Sequence, residues 1–85
     1  MKNKYLITLL VPSLEAEYDV YIPNNKKFGL VKEKLLSTIV ELSNGTFQKT
    51  IQEVEFIDRD SGKYFPTNVY VKDTGIKNGT KIIVM

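Results

Sequence analysis

Cysteine and histidine are both absent from this 85-residue chain, which removes most of the side-chain chemistry open to a small domain. Without thiols there is no disulfide, thiolate metal site, thiol nucleophile or redox switch. Without imidazole, the usual zinc site, the usual general base near neutral pH and every histidine triad are excluded as well. Arginine is scarce: Arg59 alone could make bidentate phosphate or guanine contacts. Nucleic-acid binding is therefore not expected, although Lys26, Lys27, Lys32 and Lys34 give the helix start a basic bias. Long apolar runs are also missing. The longest, Tyr5 to Val11, is interrupted by Thr8 and falls far below the roughly 18 residues that indicate a membrane span. Lys2 and Lys4 precede too short an apolar core for a signal peptide, and no small-residue cleavage site follows. The expectation is a cytoplasmic protein without direct membrane insertion, in which the Asn-x-Thr sequences at Asn44 and Asn78 are turns rather than glycan sites.

What is present fits one domain over residues 1–85. At this length folding buries only roughly 60–65% of the chain's surface, so one core serves the whole molecule and a deep catalytic cleft is not expected. Apolar residues at 42% and charged residues at 26% describe a globular chain, not one too polar to offset its ordering entropy. The net charge of +2 comes from twelve basic and ten acidic groups, interspersed as on an ordinary solvated surface.

Two stretches alternate with period two: Ile7, Leu9 and Val11 against Leu6, Thr8 and Leu10, then Tyr18, Val20 and Ile22 against Glu17, Asp19 and Tyr21. Both are expected to be strands, joined as a hairpin through Pro12 to Ala16. A register with Tyr18 opposite Val11, Val20 opposite Leu9 and Ile22 opposite Ile7 puts three apolar residues of each strand on one face. Pro23-Asn24-Asn25 stops the second strand, and either asparagine can cap a helix beginning around Lys26. The period then changes to 3.6, and Phe28, Val31, Leu35, Ile39 and Leu42 form the expected core stripe. Gly29 in the first turn is a small local destabilisation, and Asn44-Gly45 supplies a left-handed exit.

After a connector from Thr46 to Gln52, Val54-Glu55-Phe56-Ile57 reads as a strand buried through Val54 and Phe56. Asp58 to Lys63 turns the chain into a brief strand around Tyr64-Phe65. The spacing of Asp58, Asp60 and Gly62 fails as a calcium loop, because Gly62 and Val69 stand where oxygen ligands are required. Val69-Tyr70-Val71 follows, with Tyr70 compatible with core or surface. Asp73 and Gly75, then Asn78-Gly79, are turn formers before the β-branched Ile82-Ile83-Val84. Strand, strand, helix, strand, short strand, strand is an α+β order. It is economically built as a β-grasp, a mixed four- to five-stranded sheet packed on one long helix.

The spacing of Asp73, Gly75, Ile76, Asn78 and Gly79 before that last strand resembles the small ubiquitin-like proteins associated with bacterial type VII secretion, the YukD/EsaB-like family. The resemblance implies that Ile76 anchors the last turn in the core, with Ile82 and Val84 inward and Ile83 and Met85 outward, a split strand alternation also demands. It further implies a non-enzymatic accessory or regulatory role, with a cytoplasmic part of the secretion machinery as protein partner. The alternative is a ubiquitin-like modifier or sulfur carrier activated at its C-terminus, which the lack of a diglycine tail after Met85 disfavours. Glu55 takes an outward position where ubiquitin has part of its recognition patch, so ubiquitin's partners are not expected here. The candidate partner surface is the sheet face away from the helix, through Leu6, Leu10, Tyr21, Ile83 and Met85, for a protein partner or a homo-oligomer. No catalytic residue, cofactor or metal is expected.

Overall fold

The computed structural model describes residues 2–85. Its elements are β1 (Lys4–Val11), β2 (Ala16–Pro23), α1 (Phe28–Leu42), β3 (Phe56–Asp58) and β4 (Lys81–Val84). They form a four-stranded sheet in the order β2-β1-β4-β3, with β1 and β4 parallel at its centre and antiparallel strands at both edges. The expected brief strand around Tyr64 is reduced to a single bridge between Ile57 and Tyr64. A mixed sheet with one helix is therefore correct, and the sheet has four strands rather than five.

The alternation in β1 and β2 places the expected residues on the core face, but the register differs from the expected one by two residues. Val11 lies opposite Ala16, Leu9 opposite Tyr18, Ile7 opposite Val20 and Tyr5 opposite Ile22. The cause is the connection, a single 3-10 turn over Pro12–Leu14 closed by Glu15 at φ 49°. Glu15 N–H donates to the Pro12 carbonyl at 3.0 Å, and Ala16 is already paired. A slip of two preserves the face of every side chain and brings Tyr5 against the core.

The start of α1 also departs from expectation. Lys27 occupies the N-cap position without a side-chain bond, and neither Asn24 nor Asn25 caps. The orphan N–H groups of the first turn find backbone carbonyls from later in the chain: Phe28 donates to Val69 at 3.0 Å and Gly29 to Thr67 at 2.9 Å. Gly29 is required for that approach, since a Cβ there would stand 3.0 Å from the Thr67 carbonyl oxygen. The left-handed exit is as expected, with Asn44 at φ 55° and Gly45 at φ 79°, and Gly45 N–H returns to the Val40 carbonyl at 2.8 Å.

Leu42, expected on the core stripe, is 50% exposed. The chain leaves the helix there, Phe47 N–H reaches Ser43 Oγ at 3.2 Å, and Phe47 enters the core instead. Ile7, Leu9, Val11, Ile22, Phe56, Ile82 and Val84 from the sheet meet Phe28, Val31, Leu35 and Ile39 from the helix. The irregular segments add Phe47, Val54, Phe65, Val71 and Ile76. Phe28 is the hub, edge-on to Phe56 at 6.1 Å between centroids and tilted against Phe65 at 5.3 Å. No charged or polar residue among those described is buried.

The Asn78-Gly79 turn brings β4 beside β1. Asn78 Oδ1 accepts the Leu6 N–H at 2.8 Å and Gly79 N–H donates to the Leu6 carbonyl at 2.8 Å. Those bonds satisfy a β1 edge position below the point where β4 begins, and Thr8 N–H to the Thr80 carbonyl at 3.0 Å starts the parallel ladder.

Candidate protein interface

Strand alternation turns every second residue of the sheet away from α1. Thr8 pairs with Lys81 and Leu10 with Ile83 across β1 and β4, and Ile57 pairs with Ile83 across β3 and β4. Leu10, Ile83 and Ile57 therefore form one apolar row across the middle of the outward face. Tyr64 extends it beyond Ile57 through their bridge and is 64% exposed. Met85 stands two residues along from Ile83, 51% exposed. Its backbone exchanges hydrogen bonds of 2.8 and 3.0 Å with Glu55, so the β3 and β4 pairing continues past the assigned ends of both strands.

Leu6 and Tyr21 lie elsewhere on the same face. They are directly opposite each other and border a shallow hollow of about 420 Å³ with Thr8, Asp19, Asn78 and Gly79. A polar stripe separates them from the central row. Thr8 Oγ1 donates to Asp19 Oδ1 at 2.7 Å, and Lys81 stands next to Thr8 on the other side. The five candidate residues thus fall into two groups, Leu10, Ile83 and Met85 in one and Leu6 and Tyr21 in the other. Ile57 and Tyr64 were missed, although alternation from the inward Phe56 already turns Ile57 outward.

The face offers apolar contact with charged groups at its periphery. Glu53 belongs to the connector before β3. The Thr50 N–H donates to its Oε1 at 2.9 Å, and this bond, with a weaker contribution from the Thr50 hydroxyl, holds the carboxyl below its ordinary value. Among the described residues no three aspartates or glutamates gather as metal ligands, and no helix is long and apolar enough to cross a membrane.

Comparison with known protein families and with curated proteins gives no match. Solved structures do share the fold. The ubiquitin-like domain of the Mycobacterium tuberculosis type VII secretion system protein EccD1 superposes with a TM-score of 0.74 at 14% identity, covering 96% of this chain and 97% of that one. The EccD5 ubiquitin-like domain from Mycobacterium xenopi gives 0.71 at 8% identity, covering 96% and 92%. A chain of the toluene 4-monooxygenase HD complex with the inhibitor 4-bromobenzoate gives 0.69 at 11% identity, covering 95% of each chain. At such identities the likeness establishes a ubiquitin-like fold.

Proposed function

We propose that this domain is a non-enzymatic interaction module, an accessory or regulatory component of a type VII secretion system of the WXG100-substrate kind. Its partner is a cytoplasmic part of the export machinery. The observation that carries the reading is the apolar row Leu10, Ile83 and Ile57, flanked by the exposed Tyr64 and Met85, on the sheet face that packs no core. Clustered apolar groups on one face of a small domain mark a protein-binding surface, whereas scattered ones are ordinary. The secretion role draws on the EccD ubiquitin-like domains as fold neighbours and on the Asp73 to Gly79 spacing. A half-buried apolar row of this kind is covered by one complementary apolar patch on a partner, as in the apolar centre of an ordinary interface.

The test is export of the system's small helical substrates from the native host after deletion of the gene, with the intact gene restored as control. Restorable loss or deregulation of export supports the role. Unchanged substrate levels inside and outside the cell overturn the secretion assignment. Sedimentation of the purified domain at increasing concentration tests whether the same face pairs copies of the chain.

A further inference from the structure

A second surface lies on the other side of β2. β2 is an edge strand, with β1 on one side and, among the described residues, no strand on the other. Asn24 N–H donates to the Asn3 carbonyl at 2.9 Å, which fixes the hydrogen-bond phase of the β1 and β2 pairing. By antiparallel alternation the N–H and C=O groups of Glu17, Asp19 and Tyr21 then point to the open edge. Beside that edge runs a groove of about 460 Å³ between β2 and α1. Val20, Ile22, Val31 and Leu35 line it as apolar surface, and Lys26 and Lys34 are its charged residues, with no carboxylate among the lining groups. Leu30, on the helix side, is 63% exposed.

We infer that this groove is a peptide-binding site in which an extended segment of a partner protein adds as a fifth strand to β2, with apolar side chains in the groove and acidic ones against Lys26 and Lys34. Edge-strand addition derives its affinity from main-chain bonds, here to Glu17, Asp19 and Tyr21, and its specificity from alternate side-chain pockets. The charges decide the occupant. Glu17 and Asp19 project from the outward face of β2, which carries no basic residue, so two copies of β2 paired edge to edge would set like charges together. A segment with neutral or basic residues outward and an acidic flank toward α1 satisfies both rims. The site is separate from the row Leu10, Ile83 and Ile57 and stands whether or not that row binds the secretion machinery.

The experiment follows the backbone amides of the 15N-labelled domain during titration with a synthetic peptide. The peptide has valine at alternate positions, threonine between them and aspartates at one end; a second peptide carries lysines in place of the aspartates. The expected result is saturable shifts at Glu17, Asp19, Tyr21 and Leu30 with the acidic peptide, and weaker binding by the basic one. Lys26→Glu and Lys34→Glu, both at exposed positions, together weaken the acidic peptide by roughly three- to tenfold, the range expected for two rim ion pairs, and reverse the preference between peptides. No saturable shift at millimolar acidic peptide overturns the proposal. So do shifts confined to Leu10, Ile57 and Ile83, and so do concentration-dependent shifts of the β2 edge without peptide, which would make a second copy the occupant.

Discussion

Leu9 and Leu10 are chain neighbours of the same type on the same strand, and so are Ile82 and Ile83, yet each pair is divided by the plane of the sheet. Leu9 and Ile82 are sealed at 0% exposure against Phe28 and its neighbours, while Leu10 and Ile83 meet Ile57 on the other side, half-buried with no second layer over them among the described residues. The inward face spends its apolar groups on stability. On the outward face the same groups remain accessible, so there they can contribute to recognition. The sheet is thus a partition between two uses of one residue type, and each use can be removed without the other.

The largest expected effect comes from the inward face. Leu9→Ala should cost about 2–5 kcal/mol as a buried truncation that leaves a cavity, whereas Leu10→Ala should cost about 1 kcal/mol or less. Urea denaturation of the two variants measures the contrast, and equal losses would show that the outward row is also core. The next effect tests how α1 is seated over the inward face. Gly29→Ala should destabilise by about 1 kcal/mol, since the new methyl meets the Thr67 carbonyl oxygen and strains the Gly29 to Thr67 bond. The ordinary helical gain of alanine over glycine has the opposite sign, so a raised melting temperature would refute the close approach. The smallest stability effect concerns the polar stripe. Thr8→Val should change stability by only about 0.5 kcal/mol, because the Thr8 to Asp19 bond is exposed. It should nevertheless join Leu6 and Tyr21 to the central row and increase self-association in sedimentation, as a larger continuous apolar patch does.

The sheet faces were legible in the sequence because period two assigns a face without knowledge of the partner strand. Ile7, Leu9, Val11, Ile22, Ile82 and Val84 needed only alternation. Cross-strand neighbours need the register, and here the expected register was two residues out: it set Thr8 opposite Tyr21, so the Thr8 to Asp19 stripe was invisible and one patch was expected where there are two. The helix stripe was legible until Leu42, where departure of the chain replaced it by Phe47. Least legible was the region after α1. Val71 and Phe65 reach the core from segments with little regular structure, and the cap of α1 comes from Thr67 and Val69, about forty residues downstream of Gly29 and Phe28 in sequence. No local pattern announces such a bond. It also gives Gly29 a purpose that helix propensity alone had left as a small cost.

The most direct test of the outward row as the partner surface is complementation of the deleted gene with Ile83→Asp, at a cellular level equal to the wild type and with the purified variant shown to be folded. If the outward row is the partner surface, this variant fails to restore substrate export, because an ionised carboxylate between Leu10 and Ile57 cannot be desolvated against an apolar partner. Full restoration of export by folded Ile83→Asp would contradict it.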